Sequence, residues 1–300
     1  MDTIATKTDD VPVGTIVVGV DDAASATEAL EWAVTEAKTT GRAITLIHVI
    51  AEIDPHQAVW LAKAGVSSRS LLRAESKAAR ERLEALAEKQ RSIGVTVHVA
   101  VGVGNARYEL PAMASSAHRL VVGSHGRGPV MSRLLGSVGI AVVRHANCPI
   151  VVVRPPTGAS TTPGIVVSAN GAAGGQAALE IAFLEAESHQ CPLTVVACDP
   201  DGEAASGHWS VPTSRGERDA ARLAIAEAVA GLREDHPDVA VSTFVAEGSL
   251  LHCLLDLGGR REEIVIDRAV DGAERGHFGA AASLAAAVVE HASTTVIVVP

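Results

Sequence analysis

Cysteine is scarce in this chain, and the four present, Cys148, Cys191, Cys198 and Cys253, form neither a CxxC pair nor a Cys/His spacing suited to zinc. They read as buried reduced thiols, which points to the cytosol. Positive charge is also short: 25 Lys and Arg stand against 35 Asp and Glu, a formal charge of -10. That balance disfavours nucleic acid and anionic membrane as general partners, since both reward a basic surface. No uninterrupted apolar run reaches membrane-spanning length; the run from Val138 to Val153 is broken by Arg144, His145 and Asn147. The N-terminal MDTIATKTDDVPVG lacks the apolar core of a secretory signal. Aromatic residues make up 2% of the chain, so its 47% hydrophobic share is carried by Ala, Val and Leu. That share is ample for two cores, and a length of 300 residues favours two domains.

Residues 1–14 read as a polar tail. Thr15 to Val20, TIVVGV, predicts a buried strand that Asp21-Asp22 ends. A helix capped by Asp22 or Ser25 follows, with Leu30, Ala33, Val34 and Ala37 on its buried face, and Gly41 closes it. Ile44 to Ile50 predicts a second strand. Residues 51–68, with Pro55 and Gly65, are expected to be irregular. Leu71 to Gln90 predicts an amphipathic helix with Leu72, Ala79, Leu83 and Leu86 on one face. Val95, Val97, Val99 and Val101 alternate as a third strand, Gly104 leads into a helix around Tyr108 to Ala117, and Leu120 opens a fourth strand. Pro149 to Val153 supplies a fifth. Strands alternating with helices imply a parallel α/β sheet with right-handed crossovers.

The stretch 155–163, PPTGASTTP, has the composition of a linker, and beyond it the pattern restarts. Gly164 to Ala169 matches the first strand, Ala178-Leu179-Glu180 repeats Ala29-Leu30-Glu31, and Trp209 stands as far past its strand as Trp60 does past its own. Val239 to Val245, Glu263 to Ile266 and Val296 to Val299 repeat the third, fourth and fifth strands, and His291-Ala292 repeats His145-Ala146. A period this long predicts a duplicated domain: a first domain over 15–154 and a second over 164–300.

The chemistry concentrates in Leu120 to Ser137, LVVGSHGRGPVMSRLLGS. It reads as strand, glycine-rich loop, then a helix from Ser137 with Val138, Ala141, Val142 and His145 along one side. Glycines let backbone approach an anion closely, and a helix N-terminus offers unpaired N–H groups and a positive dipole end. Together they make a phosphate cradle, to which Arg127 and Arg133 would add charge. No Gly-Lys-Ser/Thr follows and no GxGxxG sits at this turn, so it is neither a Walker loop nor a dinucleotide fingerprint. The bland alternative is a glycine-rich turn that binds nothing.

The spacing Gly123-x2-Gly126-x9-Gly136-Ser137 resembles the ATP-binding motif of universal stress proteins. In the first half the resemblance runs from GVDDAASATEALEWA through the glycine loop to HANCPIVVV, and the whole chain looks like the tandem-domain type. It implies two doubly wound, Rossmann-like domains of the adenine nucleotide alpha hydrolase kind. Each would have a five-stranded parallel sheet of order 3-2-1-4-5, with the ligand cleft at the switch point between strands 1 and 4. It also implies ATP as ligand, with or without Mg2+. Asp21 would meet the adenosine end through the ribose hydroxyls, with Gly19 nearby and Val49 and Ile50 walling the base. Gly123 would lie at the ribose, and Gly126, Gly136 and Ser137 at the phosphates. Ser124, His125, Gly128 and Val138 complete the candidate set. Two positions depart from the family pattern: Ala106 stands where proline is frequent, and Gly139 where a second serine often follows.

The second half departs further. Asn170 replaces the Asp21 equivalent, Asp267 falls at Gly123, Val270 at Gly126 and Ala282 at Gly136, leaving only Ser283. A β-branched residue resists the positive φ that a turn glycine adopts, and a carboxylate repels phosphate. Arg268, Arg275 and His277 would offset this only in part. The reading is a nucleotide-binding regulator of the stress response that uses its first domain. Two alternatives stay open: a slow ATPase or a nucleotidyl or phosphoryl transferase, and a nucleotide-independent scaffold. No nucleophile–base–orienter set favours an enzyme.

Strand five closes each half with branched apolar residues at a sheet edge, and such an edge invites pairing. The resemblance implies pairing through this edge, and the short linker favours docking within one chain over a homodimer. At roughly 3.3 Å per residue the linker spans about 30 Å, enough for either. Charged substitutions at Val151 and Val298 are expected to separate the halves and give an expanded monomer by small-angle scattering. Variants that stay compact would move the interface to another face.

Overall fold

The computed structural model describes residues 11–21, 24–124, 136–154, 162–169, 175–197, 215–245, 250–268 and 284–300. Contacts divide the chain into two units that part between Ile150 and Val151. The first holds β1 (Ile16–Gly19), α1 (Ala24–Thr40), β2 (Ile44–Ile50), α2 (Pro55–Lys63), α3 (Ser68–Arg91), β3 (Val97–Val103), α4 (Ala106–Met113), β4 (Arg119–Gly123) and α5 (Ser137–His145), and it ends at the start of β5 (Ile150–Val153). Its strands run parallel in the order β3-β2-β1-β4. Ile16 sits level with Ile44 on one side and Arg119 on the other, so β1 is the central strand. The Leu120 N–H donates to the Pro149 carbonyl at 2.9 Å, which brings the chain beside β4 just before Ile150. Ile16, Val17 and Val18 have no exposed surface, as expected of a strand covered on both faces.

The second unit holds β6 (Ile165–Ala169), α6 (Gly175–Ser188), β7 (Leu193–Ala197), α7 (Arg215–Asp235), β8 (Val241–Val245), α8 (Leu250–Gly258), β9 (Glu263–Asp267), α9 (Leu284–His291) and β10 (Thr295–Val299). Its parallel order is β10-β9-β6-β7-β8. Counted from its own first strand this is 5-4-1-2-3, the expected order read from the opposite edge. Here β6, β9 and β10 are buried along their whole length, whereas β8 is largely exposed. No helix of the described residues is long and apolar enough to cross a membrane.

The stretch expected to be irregular contains α2. Pro55 sits in its first turn, where a missing N–H costs nothing. The Asp54 carboxylate accepts from the His56 and Gln57 N–H groups at 2.8 and 3.0 Å. Gly65, with φ +73°, lies beyond its end. Both residues read as breakers are therefore punctuation. Among the thiols, Cys148 and Cys191 are buried and free, and Cys253 is free but only half-buried; Cys198 lies outside the described residues. Burial pushes the Cys148 and Cys191 thiols up to about 11, as inert packing residues require.

At the start of β4, buried Arg119 faces buried Glu36 of α1, Nη1 to Oε1 3.7 Å. The neighbouring His118 N–H donates to the Thr15 carbonyl at 2.9 Å. Burial first, then the charges of Arg119 and Arg42, lower the His118 pKa from 6.5 to about 4, with Glu36 opposing. The folded chain thus keeps this imidazole neutral where the unfolded chain protonates it. Its share of stability is intact above pH 6.5 and is lost as the pH falls toward 4. His118→Asn should flatten the decline of the urea midpoint over that interval. A variant whose midpoint falls in parallel with the parent would assign the acid sensitivity to other groups.

Candidate functional site

Because β1 lies between β2 and β4, the chain leaves it toward opposite sides and opens a crevice beyond the strand ends. Three ends meet there. β1 leads into Val20 and Asp21, β2 into Ala51, and β4 closes on Gly123 and the buried Ser124. The N-terminus of α5 comes in from the β4 side, with Gly136 as its N-cap. The result is a cleft of about 670 Å3 lined by Gly19, Val20, Asp21, Ala26, Ile47, His48, Val49, Ile50, Ala51, Glu75, Ala78, Arg82, Ala106, Leu110, Val122, Gly123, Gly136, Ser137, Val138 and Gly139.

Two glycines do different work. At Gly19 a Cβ would stand 3.0 Å from Leu110 Cδ2 and 3.5 Å from Val122 Cγ1, so glycine there lets α4 close on the end of β1. At Gly136 a Cβ would meet no atom of the described residues within 4 Å, and its φ of -60° with ψ 161° suits any residue. Nothing among the described residues therefore requires glycine at 136; what its bare backbone offers is close approach from the cleft. The Gly136 carbonyl accepts the first helical bond, from the Ile140 N–H at 3.1 Å. The N–H groups of Ser137, Val138 and Gly139 precede that bond and have no i−4 partner in the helix. All three residues line the cleft.

Of the residues expected from the sequence, Gly19, Asp21, Val49, Gly123, Gly136, Ser137 and Val138 come together in this one cleft, and Ile50 joins them. Ser124 is buried directly behind Gly123. His125, Gly126, Arg127, Gly128 and Arg133 lie outside the described residues. The two departures from the family pattern, Ala106 and Gly139, both reach the wall. In the second unit, Asp267 ends β9 where Gly123 ends β4, and it is buried. Asn170, Val270, Arg275, His277, Ala282 and Ser283 lie outside the described residues.

Sequence reasoning missed three polar wall residues. His48 Nδ1 lies 2.7 Å from the Val20 carbonyl. A carbonyl only accepts, so the ring donates, and the bond ties the end of β2 to the end of β1. The signal was a histidine inside the apolar run ITLIHVI. Glu75 and Arg82, with Ala78 between them, follow helical spacing along α3 and form one wall. Their amphipathic helix was legible; which charged edge overlooks a cleft depends on how the helix sits on the sheet. Together these walls can hold a flat apolar body between Val49, Ile50 and Leu110, with an anionic tail at the start of α5.

A sequence model of the universal stress protein family matches residues 12–154. A universal stress protein of Mycobacterium tuberculosis is 27% identical over 286 residues, covering 92% of this chain and 91% of its own. A second from the same organism is 30% identical over 259 residues, covering 84% of each. In three dimensions, the crystal structure of a universal stress protein from Archaeoglobus fulgidus superposes with a TM-score of 0.68 over 95% of both chains at 17% identity, a likeness of fold.

The packing at Gly19 gives a test of the cleft floor. Gly19→Val should destabilise the chain by about 1–3 kcal/mol in urea denaturation through overpacking against Leu110. The β-propensity of valine returns less than about 1 kcal/mol. An undiminished midpoint would show that α4 does not close on β1 as described.

Proposed function

Since the chain belongs to the universal stress protein family, we propose that it binds ATP in the first-unit cleft and acts as a nucleotide-dependent regulator. One observation carries the reading. The cleft at the β1/β4 switch point brings both ends of the motif, Gly123 and Gly136-Ser137, to the same space as Asp21. In this reading Asp21 accepts from the ribose hydroxyls. Val49 and Ile50 flank the base, and Gly123 allows the sugar close to the sheet. Backbone N–H groups at the start of α5, with the Ser137 hydroxyl, donate to phosphate oxygens. Mg2+, where present, would ride mainly on the phosphates. The loop residues Ser124, His125, Gly126, Arg127, Gly128 and Arg133 belong to the phosphate end by their place in the motif.

The second unit retains the order of strands but carries Asp267 where this site has Gly123. A buried carboxylate there takes the space that the missing Cβ of Gly123 leaves for the sugar, so one nucleotide per chain is the expected stoichiometry. Calorimetry should give a single ATP site. Gly136→Ala should weaken it about tenfold or more, roughly the weight of one charge-assisted hydrogen bond to phosphate. The free protein's stability should change by less than about 1 kcal/mol, since the added methyl touches none of the described residues. Two equivalent sites, or an affinity untouched by the substitution, would count against this reading. Multiple-turnover release of ADP would instead make the cleft that of an ATPase.

A further inference from the structure

The nucleotide cleft does not end at the base. A second cavity, of about 630 Å3, begins where the first stops, and Ala51 and Glu75 stand in the walls of both. It lies past the end of β2, under α2, and its apolar wall includes Trp60 and Leu61 of α2 and Leu71 of α3. The helix that forms it has no obvious structural reason to be there. None of its nine residues is buried, and a helix this short is marginal alone. It is held by the Asp54 cap and by contact with α3. Yet it carries Trp60 at 69% and Val59 at 57% exposure. A tryptophan that open, facing a cavity, is an unused aromatic wall.

The orientation of a nucleotide in the first cleft determines what reaches that wall. Phosphates belong at α5, beside β4, and the ribose at β1. The purine then lies over the end of β2, with the edge opposite N9 pointing onward to Ala51. That edge carries the exocyclic N6. We propose that the second cavity is a base-end extension of the site and accepts an adenine nucleotide bearing an apolar ring on N6. Trp60, Leu61 and Leu71 pack the ring. A singly substituted N6 keeps one N–H, for which Glu75 in the shared wall supplies an acceptor. An enclosed adenine pocket would reject such a group sterically; this one has room. The inference rests on the nucleotide reading of the first cleft.

The test compares ATP with N6-benzyl-ATP on the full chain by calorimetry. The benzyl analogue should bind at least as tightly as ATP. Trp60→Ala should weaken the analogue by about tenfold while ATP stays within about twofold, a difference that reports aromatic packing at the ring alone. Leu71→Glu, from the facing helix, should shift the ratio the same way. If ATP binds and the analogue binds tenfold or more weaker, the cavity is not an extension of the site and the proposal fails. It fails equally if either variant moves both ligands together or neither. If ATP itself does not bind, the nucleotide reading falls, and this inference with it.

Discussion

Parallel pairing of β1 with both β2 and β4 is the constraint on which the site depends. It brings the carboxyl ends of three strands to one level, and a displacement of one residue along the strand would move an end by roughly 3.3 Å. Ile16, Val17 and Val18, all without exposed surface, fix that register. A slip of one position would turn every buried side chain to the opposite face of the sheet. The His48–Val20 bond then locks the strand ends to each other at 2.7 Å, past the last pair of the ladder. Gly19 completes the arrangement by letting Leu110 close the floor. The cleft is thus a by-product of strand register, refined by one side-chain bond and one missing Cβ.

What could be read from the sequence follows the same division. The first, fourth and fifth strands of both halves show as short branched apolar runs, because a parallel strand covered on both faces has no polar alternation, whereas the third strands show by alternation. The motif glycines show because a demand on the backbone can be met by few residue types. Gly136 is the clearest case: among the described residues it has no steric reason, and its bare backbone faces the cleft. Glu75, Arg82 and Trp60 were hidden because they sit on helices whose local sequence would serve equally well on a solvated face. The placing of Glu75 and Arg82 comes from how α3 lies over β2 and β3, and that of Trp60 from how α2 packs on α3, both tertiary facts. The helix α2 was hidden for another reason. It buries no residue, so it has no apolar stripe to betray it, and its two boundary residues, Pro55 and Gly65, imitate a loop.

The division also separates what can change in such a domain from what cannot. In the proposed site the phosphate end is met by backbone N–H groups at the start of α5, whose geometry is inseparable from the fold. Side-chain variation at the strand end beside it would act by obstruction: in the second unit buried Asp267 ends the strand that in the first carries Gly123, the proposed ribose contact. At the base end the walls are side chains of α2 and α3. The segment between β2 and α3 lies outside the sheet, and lengthening such a connection costs only about 0.6 kcal/mol per doubling. A helix can therefore be inserted there without disturbing strand register. One consequence is that ligand identity should diverge at the base end, between domains of one fold, faster than the phosphate cradle does. In this chain α2 and α3 bring Trp60, Leu61 and Leu71 to the proposed base end, while Gly123, Gly136 and Ser137 line the opposite end. In the proposed site, affinity thus falls to backbone groups of the sheet and α5, and selectivity to side chains of α2 and α3.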